Sequence, residues 1–132
     1  MTVAKVVDAS AIAALLFAEP EQADIAARIA DVTLISPDLL SLEVANVCWK
    51  KCRRDPDQCD AHLAAFALLA RLSIEARRVE PDAVLALAMA TGLTVYEASY
   101  LWLSRQLGLE LVTLDKQLEQ AARSSSATAP PN

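Results

Sequence analysis

Glycine is nearly absent from this chain. With two in 132 residues, no Gly-rich loop is available to cradle phosphates, which argues against a nucleotide hydrolase. Histidine occurs once, as His62, in a charged helix start far along the sequence, and no nucleophile–histidine pair is read from it. Basic charge is also short: the formal net charge is −5. Such a chain has no global attraction for nucleic acid, and any such contact needs a local basic patch. No hydrophobic run is long enough to cross a bilayer. The longest uncharged one, residues 83–96, falls well below the length required. Asp8 interrupts what would be the apolar part of a leader, so the expected location is the cytoplasm. Cysteine is sparse and odd in number, which argues against a disulfide framework. Cys48, Cys52 and Cys59 with His62 have looser spacing than structural zinc sites favour, and two of them fall within one expected helix. They read as small hydrophobes rather than as a zinc centre.

What is present is a core. Hydrophobic residues make up 55% of the chain, dominated by Ala and Leu, enough for one helix-rich domain without staples. Val3, Ala4, Val6 and Val7 form a short β-branched run of the kind found in strands buried on both faces. From Ser10 onward the spacing of Ile12, Leu15 and Leu16 is helical. Pro20 opens a second helix bearing Ile25, Ala26 and Ile29 on one face. A second strand is expected over 32–35, then a long helix over 37–54. Asp55-Pro56-Asp57 breaks that helix and starts a fourth, running to about Leu72. A third strand is expected over 74–79. Pro81 starts a helix that Gly92 ends, a sixth helix spans 94–107 to Gly108, and a strand over 110–113 precedes a last helix over 115–123. Residues 124–132 have little to bury and are expected to be a disordered tail after a domain of residues 1–123. Alternating strands and helices predict a three-layer α/β architecture around a small parallel sheet.

Four acids stand in unusual places. Asp8 and Asp115 each follow an apolar strand, where ligand clefts open in parallel sheets. Helix N-capping is the plainer reading of both. Glu43 lies mid-helix, with Leu39, Leu40, Asn46 and Val47 three and four positions away and no base to neutralise it. A solvated stripe would also accommodate it. Glu97 has Leu93, Thr94, Tyr100 and Leu101 as neighbours. Thr94-x-x-Glu97 is equally a capping box. If the four converge, their mutual repulsion calls for a cation. All-oxygen ligands imply Mg²⁺ or Mn²⁺ rather than zinc, and metal-assisted hydrolysis is the economical chemistry.

Val6-Val7-Asp8-Ala9-Ser10, Leu42-Glu43-Val44-Ala45-Asn46, Thr94-Val95-Tyr96-Glu97-Ala98-Ser99-Tyr100 and Leu111-Val112-Thr113-Leu114-Asp115-Lys116, in that order, resemble a PIN domain. Within that family they are most similar to the VapC-type ribonuclease toxins of toxin–antitoxin pairs. The resemblance spans about residues 3–122. It implies a sheet of four to five strands flanked by about seven helices. It also implies an endoribonuclease in which Asp8, Glu43, Glu97 and Asp115 hold Mg²⁺ or Mn²⁺. Thr113 would supply a hydroxyl that orients metal or water, and Ser10 would do the same. In the family the third acid is most often Asp, so the longer Glu97 is expected to reach the metal differently, as through a water. Lys50, Lys51, Arg53, Arg54 and Lys116 are the basic residues expected to meet RNA. A solvated helix end favoured by the macrodipole is the plainer reading of the first four. Tyr96, Tyr100 and Trp102 read as core or subunit contacts rather than base-stacking groups. A homodimer and a cognate antitoxin entering the acidic groove are further implications of the resemblance.

Two other readings compete. A response-regulator-like signalling domain needs a pair of acids after strand one, an acceptor Asp ending a central strand and a Lys ending the last. Here only Asp8 follows strand one, and Glu43 is mid-helix. A PIN-like fold kept only as a binding module fits poorly with the presence of all four acids.

Overall fold

A computed structural model describes residues 2–127. Four parallel strands form the sheet: β1 (Val3–Val7), β2 (Val32–Pro37), β3 (Ile74–Arg77) and β4 (Leu111–Val112), in the spatial order β3-β2-β1-β4. Val6 and Val7 are fully buried in β1, the strand that pairs with both β2 and β4. This is the double-sided burial their β-branched run anticipates. Seven α-helices connect and follow the strands: α1 (Ala9–Leu16), α2 (Gln22–Ile29), α3 (Leu40–Arg54), α4 (Cys59–Ala67), α5 (Pro81–Thr91), α6 (Val95–Leu107) and α7 (Lys116–Ala127). Short 3₁₀ turns flank α4 at Pro56–Gln58 and Leu68–Arg71.

The topology positions the site. From β1 the chain steps outward to β2 and then β3, and afterwards returns to the other side of β1 as β4. Right-handed crossovers place α1 to α4 on one face of the sheet, while the reversed step sends α5 and α6 to the other. Accordingly α1 packs on α2 and α3, and α3 on α4, whereas α6 packs on α5, α7, β1 and β2. Reversal of strand order makes the β1/β4 boundary a switch point, and the crevice beyond the strand C-termini there is the default ligand position. Register sharpens this. Val7 pairs with Val112, so the residues that follow, Asp8 and Thr113, emerge side by side although 105 positions apart.

Both glycines do one job. Gly92 (φ 78°) and Gly108 (φ 64°) terminate α5 and α6 in the left-handed region, where a side chain would be strained. Several boundaries differ from expectation. The third helix begins at Leu40, because residues 36 and 37 extend β2. The fourth is shortened to Ala67 by the second 3₁₀ turn. The last continues through Ala127 rather than ending at Arg123, since Ser and Ala are tolerated in a helix. The rest of the expected tail, 128–132, lies outside the described residues. No single helix among the described residues is long and apolar enough to cross a membrane.

The cysteines require a correction. Cys52, near the end of α3, is disulfide-bonded to Cys59 at the start of α4, with Cα atoms 4.5 Å apart. Only Cys48 is free, and it is buried. An odd count does not preclude one bridge, and the Pro56 corner folds the chain back so that the two Cys meet. With two of its donors tied together, the zinc reading is set aside.

A candidate acidic metal centre

Asp8 is the pivot of the site. It caps α1, accepting from the Ala11 N–H at 3.0 Å. It also accepts the Ser10 hydroxyl at 2.8 Å and, on its other oxygen, the Thr113 hydroxyl at 2.5 Å. Its own N–H donates to the Val112 carbonyl. Ser10 Oγ in turn accepts from the Leu114 N–H at 2.9 Å, and Thr113 Oγ1 from the Asp115 N–H at 3.0 Å. Asp115 then caps α7 through the Leu118 N–H at 2.9 Å. The two strand-to-helix turns are therefore stitched together by hydroxyls. The capping reading of Asp8 and Asp115 is correct and does not compete with a functional one, because capping uses one oxygen of each carboxylate.

A cavity of about 200 Å³ opens there, lined by Asp8, Ser10, Glu43, Glu97, Tyr100 and Asp115 among others. The four acids predicted from the sequence share this one cavity, and no Lys or Arg among the described residues lines it. Larger cavities exist elsewhere. One of about 410 Å³ lies against Phe66, Leu69 and Leu72, and one of about 480 Å³ lies between α5, α6 and α7. Neither gathers carboxylates, so chemistry rather than size identifies the site.

Electrostatics follow from this crowding. Burial pushes the Asp8 carboxyl above its ordinary range; bonds from Thr113, Ala11 and Ser10 oppose that, and the charge of Asp115 adds to it. Burial likewise raises Glu43. The Tyr100 hydroxyl opposes the rise, while the charges of Asp8 and Glu97 reinforce it. These mutual repulsions are felt because no Lys or Arg among the described residues lines the cavity to offset them. Among the described residues, no three His, Cys, Asp or Glu are grouped tightly enough to grip an ion as they stand. Each carboxylate is instead turned onto a protein donor. Glu97 completes the capping box, accepting from the Thr94 N–H at 2.9 Å while its own N–H donates to Thr94 Oγ1 at 3.1 Å. The donor set is hard oxygen throughout, with hydroxyls behind it and no competing base. That fits Mg²⁺ or Mn²⁺.

Tyr100 is core, as expected from the sequence, but it also has a role in the site that sequence reasoning missed. It is almost fully buried, yet its hydroxyl donates to Glu43 Oε1 at 2.5 Å. Burial and the adjacent Glu43 raise the phenol far above its usual range, so it remains a donor. The available signal was its position three residues after Glu97, on the same helix face.

The expected basic residues divide. Lys50, Arg53 and Arg54 are exposed at the end of α3, and Lys116 is exposed beside Asp115. Lys51 is committed elsewhere, bonded to Glu19 at 3.2 Å with its ammonium 5.4 Å from the Phe17 ring centroid.

The chain is similar to known proteins in sequence and in fold. The model of the PIN domain family matches residues 5–124. Ribonuclease VapC3 of Pyrobaculum aerophilum is 39% identical over 121 residues, covering 87% of this chain and 92% of that protein. The crystal structure of PAE2754 from Pyrobaculum aerophilum superposes with a TM-score of 0.75 at 29% identity, covering 93% of this chain and 87% of the other.

Proposed function

The chain belongs to the PIN-domain family, and from that premise we propose that it is a divalent-metal-dependent endoribonuclease, the cytoplasmic toxin of a toxin–antitoxin pair. The observation that carries the reading is the convergence of Asp8, Glu43, Glu97 and Asp115 on one cavity that no Lys or Arg among the described residues lines. Similarity to a ribonuclease over most of both chains supports it. A response-regulator-like role has no comparable support.

Asp8, Glu43, Asp115 and, through its longer side chain, Glu97 would hold Mg²⁺ or Mn²⁺. Such an ion supplies an acidified water and neutralises charge building on the phosphodiester. The protein's own part is positioning. Thr113 and Ser10 fix the Asp8 carboxylate by donating to its two different oxygens. Tyr100 fixes Glu43. Lys116, exposed beside Asp115, is disposed to meet a phosphate. Lys50, Arg53 and Arg54 supply the local positive charge that an acidic chain needs to approach RNA. Exposure of Leu85, Met89, Val95 and Tyr96 on α5 and α6 is consistent with a homodimer contact.

The test is cleavage of total RNA by the purified chain. We expect scission with Mg²⁺ or Mn²⁺, none with EDTA, and none from Asp8→Asn or Asp115→Asn. Full cleavage in EDTA, or by either variant, removes the acids from the mechanism. Sedimentation gives the oligomeric state independently.

A further inference from the structure

The end of α3 carries Lys50, Lys51, Arg53 and Arg54, four of the chain's twelve basic residues within five positions. Among the described residues Lys51 alone of these is paired with a carboxylate. Asp55, Asp57 and Asp60 follow directly but make no ion pair with the other three among the described residues. Beside them Trp49 is 54% exposed, and the Arg53 guanidinium lies 4.9 Å from its ring centroid. A solvent-facing indole backed by a guanidinium forms a flat, positively charged plate. Nucleic-acid bases stack on such plates without regard to sequence.

Helical geometry connects this plate to the acidic site. Seven and eleven residues are nearly whole numbers of turns, so Lys50 and Arg54 lie on the same stripe of α3 as Glu43. They stand about 10 Å and about 16 Å farther along the helix axis. Arg53 and then Trp49 lie farther round on the exposed face. We propose that this ridge is a binding track for single-stranded RNA. The strand would leave the acidic cavity along α3, its phosphates meeting Lys50 and Arg54 and an unpaired base stacking on Trp49–Arg53. A duplex offers no free base face to the plate, so the track selects single strands.

The proposal rests on the ribonuclease reading for its substrate, but its test does not require cleavage. Asp8→Asn protein would be titrated with a fluorescent single-stranded RNA of roughly 12 nucleotides at several salt concentrations. Lys50→Ala with Arg54→Ala should flatten the salt dependence by about 0.7 in log–log slope for each phosphate no longer neutralised. Trp49→Ala should weaken binding roughly 5- to 150-fold with the slope unchanged, and Trp49→Phe should restore most of the affinity. Trp49 fluorescence should be quenched by single-stranded RNA and not by the matching duplex. Wild-type affinity in all of these variants would overturn the track while leaving cleavage by the intact protein standing. Trp49→Ala protein that changes its sedimenting mass but not its RNA affinity would also overturn it, identifying the plate as a subunit contact. Conversely, track-dependent binding by a wild-type protein that never cleaves RNA would remove the nuclease and keep the track.

Discussion

The Tyr100 hydroxyl donates to Glu43 Oε1 at 2.5 Å, across 57 positions of sequence. This bond ties α6, on one face of the sheet, to α3, on the other, and both residues line the acidic cavity. It supplies the mid-helix carboxylate with the neutral donor that its own helix lacks. A neutral donor holds the carboxylate in place without neutralising it, which leaves its charge available to a cation.

Tyr100→Phe tests that relationship. The ring still fills its place, so the fold should survive with a loss of about 1 kcal/mol for the missing hydrogen bond. Affinity for Mn²⁺, read from the rise in melting temperature with added metal, should drop about 10- to 100-fold, as is usual when the group orienting a metal ligand is removed. An unchanged metal titration would make Tyr100 a packing residue only.

Acid pH should act on the site with a definite sign. Asp8 and Glu43 are raised above their ordinary values, first by burial. Their charged forms therefore oppose folding of the metal-free chain. The penalty is complete above the folded-state pKa values and disappears as pH falls below the unfolded ones. The metal-free protein should thus gain stability on mild acidification from neutral pH. Asp8→Asn should gain the same at neutral pH, on the order of a few degrees in melting temperature, with a flatter pH profile. Metal affinity should fall over the same interval as protons compete for the acids. A melting temperature that falls steadily on acidification would contradict the assignment.

Much of this was legible in the residues. Asp8 and Asp115 stand out because each follows an apolar strand, and a parallel sheet places the C-terminal ends of its strands at one edge. Glu43 stood out because nothing basic lay within a helical turn. Glu97 stayed ambiguous because capping and lining the cavity are compatible, and it does both. The Tyr100–Glu43 bond was not legible, since it depends on two helices meeting across a chain reversal. Nor was the commitment of Lys51 to Glu19, 32 positions away. Local spacing carries no information on either distance.

A third carboxylate, Glu110, titrates with the opposite sign. Burial tends to raise it, but the Arg28 bond at 3.0 Å and the Lys5 charge at 3.4 Å outweigh it and hold the group below its usual value. The stabilisation is present above the unfolded-state pKa and is lost as pH falls through the folded one. Glu110 is half exposed, so its replacement by Gln should cost less than about 1 kcal/mol at neutral pH. The difference from wild type should shrink in high salt and vanish at strongly acid pH. A deficit that persists there would point to packing, not charge.

The disulfide makes the last prediction, because it joins the end of α3 to the start of α4 across the Pro56 corner. Cys52 and Cys59 are seven positions apart, and closing so short a loop restricts the unfolded chain by about 2–3 kcal/mol in the chain-entropy account. Oxidised, denatured protein should present one titratable thiol, Cys48, and the reduced protein three. Cys52→Ser should lower the melting temperature of the oxidised form and leave the reduced form little changed. Reduction should also loosen the end of α3 that carries Lys50, Arg53 and Arg54, raising amide exchange there before it rises in β1. Three thiols in protein never exposed to reductant would show the bridge is not formed, and the stability difference should then be absent as well.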